Sequence, residues 1–173
     1  FIYGNYGDAY LTIADEGKVI NTYGSIASMP DSTSTVNVIG PNSIWEIQED
    51  LSLATNGGDA TLIITNGSRV TDANAYIGHD SSGTARVRVI GSDSIWNNTN
   101  NLYVGYDNDL DNRLFIYNNG QLTVGEDAIV GAAGTGAVTQ TAGTCTIGDF
   151  LIMGSGLSGH GNYNLSGTGQ LSA

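Results

Sequence analysis

Asp107-Asn108-Asp109-Leu110-Asp111-Asn112 sets oxygen-bearing side chains at alternate positions. A hard cation such as calcium takes oxygen ligands, and the first half of an EF-hand loop spaces them this way. The bidentate Glu that closes such a loop would fall at position 118, where this chain has Asn118. Asp107, Asp109 and Asp111 are therefore a candidate site for weakly held calcium, with a solvated turn as the alternative. No other cofactor is expected.

Carbohydrate chemistry would need more. A glycosidase uses two positioned carboxylates, and a lyase would want a carboxylate-bound cation beside a proton-abstracting base. The acidic residues here are scattered, and Arg86 and Arg88, expected on one outer face, have no predictable carboxylate cluster beside them. His79 and His160 fall in separate Gly/Ser-rich stretches and read as exposed loop residues. The chain is therefore not expected to be an enzyme. Cys145 takes the place that Leu122 holds one period earlier and reads as a small buried hydrophobe. A lone cysteine allows neither an intrachain disulfide nor a zinc site built from Cys pairs. Tyr3, Tyr76, Tyr103 and Tyr106 recur at similar phases and could form an outward aromatic ladder. Trp45 and Trp96 read as core or corner fillers rather than a binding platform.

The elements that must position these residues are repeats. Val36-Asn37-Val38-Ile39-Gly40-Pro41-Asn42-Ser43-Ile44-Trp45 returns 51 residues later as Val87-Arg88-Val89-Ile90-Gly91-Ser92-Asp93-Ser94-Ile95-Trp96. Apolar positions are copied while polar ones vary, which suits a stacked scaffold; catalysis would need the reverse. A shorter beat runs beneath it. Alternating triplets start at Leu11, Val36, Leu62, Val87, Leu114, Val138 and Tyr163, with steps of 25, 26, 25, 27, 24 and 25. A period in this range marks a solenoid.

Each period holds three short strand signals separated by Gly- or Asn-bearing turns. Leu11-Thr12-Ile13, Lys18-Val19 and Ser25-Ile26-Ala27 are one such set. The expected fold is all-β: a right-handed parallel β-helix of about seven coils of ~25 residues, with no strand beyond about six residues. Leu11, Val36, Leu62, Val87, Leu114 and Val138 should stack inward, as should Ile13, Val38, Ile64, Val89 and Ile116. Alternation then turns Thr12, Asn37, Arg88 and Thr139 outward. Gly after the third strand suits a corner with positive φ. Gln140 falls where a core residue belongs; a coil shortened by one residue is preferred to a buried glutamine.

Composition agrees. Gly accounts for 25 residues, and no amphipathic helical period is present. A net charge of −12, from 5 basic and 17 acidic residues, argues against nucleic-acid partners. No apolar run is long enough to span a bilayer. The chain begins at Phe1 in the phase of a third strand and closes after a second, as expected of one solenoid segment, 1–173, uncapped at both ends. Phe1, Ile2, Tyr3, Leu171 and Ala173 are the expected stacking surfaces. They would meet a second copy head to tail, or flanking coils of a longer chain.

Gly134-Thr135-Gly136-Ala137-Val138-Thr139-Gln140-Thr141-Ala142-Gly143-Thr144-Cys145-Thr146-Ile147-Gly148, then Leu151-Ile152-Met153-Gly154, then Gly161-Asn162-Tyr163-Asn164-Leu165-Ser166-Gly167 and Gln170-Leu171-Ser172-Ala173, resembles a repeat of bacterial surface proteins. Autotransporter passenger domains and PEP-CTERM-associated secreted proteins carry it. The resemblance implies a right-handed parallel β-helix, extracellular or on the bacterial cell surface, with an adhesive or structural role. The expected function is a structural solenoid building a fibre, stalk or filament. An adhesin segment that recognises glycan or protein, and a carbohydrate-active β-helix enzyme, are the alternatives.

Overall fold

A computed structural model of the chain describes residues 7–79, 83–107 and 110–173. In chain order the strands are β1 (Ala9–Ile13), β2 (Lys18–Asn21), β3 (Gly24–Ile26), β4 (Thr33–Ile39), β5 (Ile44–Ile47), β6 (Leu51–Leu53), β7 (Asp59–Thr65), β8 (Arg69–Asp72), β9 (Ala75–Ile77) and β10 (Ala85–Ile90). They continue with β11 (Ile95–Asn98), β12 (Leu102–Val104), β13 (Asn112–Tyr117), β14 (Gln121–Val124), β15 (Ala128–Val130), β16 (Thr135–Gln140), β17 (Thr144–Ile147), β18 (Leu151–Met153), β19 (His160–Leu165) and β20 (Gln170–Ser172).

Every third strand pairs. The first sheet runs β1-β4-β7-β10-β13-β16-β19, the second β2-β5-β8-β11-β14-β17-β20, and the third β3-β6-β9-β12-β15-β18. All pairings are parallel. The chain is a parallel β-solenoid, and the described residues form six three-strand coils followed by two strands of a seventh. Strands β4 and β7 reach seven residues, one more than the triplets suggested, because the chain is already extended before each triplet begins.

Stacking follows the sequence period. Leu11, Val36, Leu62, Val87, Leu114, Val138 and Tyr163 form one inward column, and Ile13, Val38, Ile64, Val89 and Ile116 another. From Val36 to Val138 the first column is buried, as is the whole second one. Thr12, Asn37, Arg88 and Thr139 face outward. The residue after the third strand has positive φ in all six coils: Ala27, Ala54, Gly78, Gly105, Gly131 and Gly154. At Gly105 a Cβ would run into the Thr135–Gly136 backbone of the next coil, so glycine answers both the φ and the close approach.

Gln140 corrects the sequence reading. The corner is indeed short, since Gln140 lies four positions before Thr144 whereas Ile116 lies five before Gln121. Yet Gln140 keeps its place in the column, between Ile116 and Leu165, fully buried. Its Nε2 donates to the Gly143 and Gln170 carbonyls, both at 2.9 Å, and its Oε1 accepts from the Tyr163 hydroxyl at 2.6 Å. Three hydrogen bonds remove the desolvation objection to a buried amide.

Candidate functional site

Two groupings stand out from the repeating frame: a polar acceptor beside each buried tryptophan, and a half-buried aromatic block.

Trp45 and Trp96 point inward from β5 and β11 and are wholly buried. Each indole N–H donates to a residue 24 positions upstream, on the preceding coil. Trp45 reaches Asn21 Oδ1 at 2.6 Å, and Trp96 reaches Asp72 Oδ2 at 2.7 Å. Each ring also needs room on that coil. A Cβ on Gly24 would come 3.2 Å from the Trp45 ring, and the matching position one copy later is the small Ala75. Asn21, Gly24 and Trp45 thus correspond to Asp72, Ala75 and Trp96. The copy spans 51 residues because a tryptophan needs a small neighbour and an acceptor one coil away, so the packing unit is two coils. The tryptophans are core residues.

Asp72 is the one buried acid among the described residues. Burial pushes its carboxyl up to about 8, Asp50 adds to the rise, and the Trp96 N–H opposes it. Its Oδ1 has no hydrogen-bond partner, nor has either amide atom of Asn98, its ladder neighbour. A perturbed carboxyl can mark a catalytic acid. This one is sealed beneath the sheet, out of reach of a substrate, and its indole partner assigns it a structural role.

The aromatic block lies on two coils. Tyr76 and Tyr103 are register partners in the third sheet and stack with centroids 5.0 Å apart and planes 2° apart. Just past the corner, His79 stacks on Tyr106 at 5.3 Å and 14°. Within each coil the rings meet edge to face: Tyr76 with His79 at 90°, and Tyr103 with Tyr106 at 82°. The result is a two-by-two array, all four rings half-buried. Along its side runs a polar ladder. Asn74 Nδ2 donates to Asp50 at 2.9 Å, Asn101 Nδ2 donates to Glu126 at 2.8 Å, and the Asp127 N–H donates to Asn101 at 3.1 Å. Partial burial raises both the Tyr76 and Tyr103 hydroxyls, aided by Asp50 for Tyr76 and by Tyr106, Asp127 and Glu126 for Tyr103. The ladder of tyrosines is therefore real at Tyr76 and Tyr103, Tyr106 flanks it, and Tyr3 lies outside the described residues.

His79 departs from its sequence reading, being a packed member of this array. His160 is exposed as expected, but it opens strand β19 beside Thr135 instead of lying in a loop. The signal for His79 was its spacing, since Tyr76-Ile77-Gly78-His79 matches Tyr103-Val104-Gly105-Tyr106.

Two of the three calcium candidates, Asp107 and Asp111, fall among the described residues. Asp107 is exposed, Asp109 lies outside the described residues, and Asp111 Oδ2 is 2.6 Å from an Arg113 guanidinium nitrogen. Among the described residues no three His, Cys, Asp or Glu side chains converge on a common point. Cys145 is buried in the column between Leu122 and Leu171, and burial pushes its thiol up to about 11. Of the expected stacking residues, Phe1, Ile2 and Tyr3 lie outside the described residues. Leu171 is the half-buried inward residue of β20, and Ala173 is exposed just beyond it. No described helix could cross a membrane. Comparison with protein-family models, with curated proteins and with solved structures finds no match.

Proposed function

We propose that this chain is a structural solenoid of a secreted or surface-exposed bacterial protein. In this reading it is a non-enzymatic rod, lengthened by further coils or by head-to-tail stacking with a second copy. The observation that carries the reading is the stack itself: three parallel sheets carry the same inward columns through successive coils, from Val36 to Val138 and from Ile13 to Ile116, with no break in register. A column of this kind is lengthened by any further coil of the same register, which pairs with it strand by strand. The surface-protein repeat resemblance supports the same reading and its extracellular setting.

The test is the association state. Light scattering and negative-stain microscopy across a concentration series should reveal masses of several copies and rods. Leu165→Asp with Leu171→Asp should return the chain to monomers of unchanged circular dichroism. A chain that stays monomeric at every concentration would remove stacking between copies.

The aromatic array favours a second reading, an adhesin-type segment that contacts glycan or protein through Tyr76, Tyr103 and Tyr106. Half-exposed tyrosines beside hydrogen-bonding groups are suited to such contacts. Tyr76→Ala with Tyr103→Ala, screened on a glycan array against the unaltered chain, would separate this reading from the first.

A further inference from the structure

Three of the five basic residues sit together, while the acidic ones are dispersed. Arg86 and Arg88 lie on β10 and Arg113 on β13, adjacent strands of the first sheet. Register places Arg86 directly beside Arg113, and Arg88 beside Phe115. The seven strands of that sheet contain these three arginines and one acid, Asp59, a formal +2 on a chain of −12. Like charges on neighbouring strands repel. Asp111 offsets Arg113 from the loop ahead of β13. Arg86 and Arg88 form no ion pair among the described residues, and Arg86 makes one long hydrogen bond, 3.4 Å, to Thr84 Oγ1. The Arg88 guanidinium lies over the Phe115 ring, 5.7 Å from its centroid. That contact holds the Arg88 guanidinium against the ring on the outer side of the sheet, where it meets no carboxylate among the described residues.

We infer that this face of the first sheet binds an anionic polysaccharide, carboxylated or sulfated, through Arg86 and Arg88. A guanidinium edge donates two parallel N–H bonds to either anion. Phe115 and Tyr117, whose rings lie 5.5 Å apart, offer apolar area for the C–H faces of sugar rings. A flat sheet lacks the concavity a small ligand needs, but a linear polymer collects contacts across successive coils. Two other polymeric or protein partners fit less well. Duplex nucleic acid keeps its rings stacked inside the helix, away from Phe115 and Tyr117, and a second copy would bring its own −12 to the contact.

Affinity electrophoresis and calorimetry of the whole chain with polygalacturonate and with dextran sulfate test the inference, with unmodified dextran and duplex DNA for comparison. At least one anionic polymer should bind, more weakly as salt rises, while unmodified dextran does not. The polymer that binds identifies the anion as uronate or sulfate. Arg86→Gln with Arg88→Gln should lower affinity about tenfold or more. Arg69→Gln, on the second sheet, should leave it unchanged. Thr61→Glu keeps both arginines and places a carboxylate beside Arg86, so it should weaken binding even if the double variant folds poorly. The inference is overturned if neither polymer binds at low salt, if Arg69→Gln costs as much as the double variant, or if DNA binds as tightly. Binding that follows self-association of the chain in sedimentation, rather than added polymer, would also overturn it. Failure here leaves the rod reading standing, since that rests on the stacked inward columns of the coils.

Discussion

Asn21 and Asp72 hold the same place in successive two-coil units, and each accepts an indole N–H. Only Asp72 can ionise, and burial pushes its folded value up to about 8 from an ordinary 3.8. Between those values the folded chain holds a proton that the unfolded chain has released. Its contribution to stability is therefore complete below about pH 3.8 and is lost as pH rises to about 8. Urea midpoints should fall across that window. Asp72→Asn keeps an acceptor for Trp96 and removes the ionisation. It should flatten the slope and add on the order of 1–3 kcal/mol at pH 8. Cys145 lends itself to a simpler measurement. With its thiol pushed up to about 11, iodoacetamide at pH 8 should label it only after unfolding. A fast reaction with the native chain would contradict its core placement. The Cys145 position was legible from its alignment with Leu122. The burial of Asp72 was not, because a polar residue at the end of a short strand reads as a turn until its tryptophan partner, a coil away, is known.

At the scale of the element, the corner after the third strand shows how one position answers two constraints. Gly105 has a φ of +73° and lies against the next coil. Gly105→Ala should therefore cost about 1–3 kcal/mol in chemical denaturation. Ala27 holds the same place at φ +54°. Its methyl is accommodated because Gly58, on the coil below, has no Cβ to meet it. An unchanged midpoint for Gly105→Ala would show that the next coil can yield. The strand triplets and their inward columns were legible because alternation and a 25-residue beat need no long-range information. The inward column just ahead of each triplet, Ser34, Ala60, Ala85, Asn112, Gly136 and Gly161, was not, because small and polar residues give no hydrophobic signal. Asn112 survives there because its Oδ1 accepts the Ala85 N–H at 2.9 Å and its Nδ2 donates to the Leu110 carbonyl at 3.0 Å.

For the molecule as a whole, the stack has no long-range closure: each coil rests on its neighbours, so stability grows with the number of interfaces. Covering the last coil should therefore stabilise the rod. The thermal midpoint should rise with protein concentration in the unaltered chain and lose that dependence in Leu165→Asp with Leu171→Asp. A midpoint independent of concentration in both would count against stacking. Charge is also organised at this scale. Apart from Glu46, Asp59 and Asp72, the acids among the described residues lie in corners and loops, while three arginines share one flat sheet.

The sequence by itself determined the coil, its three strands and its period, because spacing along a repeating chain becomes vertical alignment once the strands pair in parallel. Only the tertiary structure decided which side chains on different coils meet. Asp72 finds Trp96, Gln140 finds Tyr163, Tyr76 lies over Tyr103, and Arg86 lies beside Arg113. Those partners stand 23 to 27 residues apart. Hydrogen bonds and ring contacts depend on ångström-scale distances, which no pattern of residue types along the chain specifies.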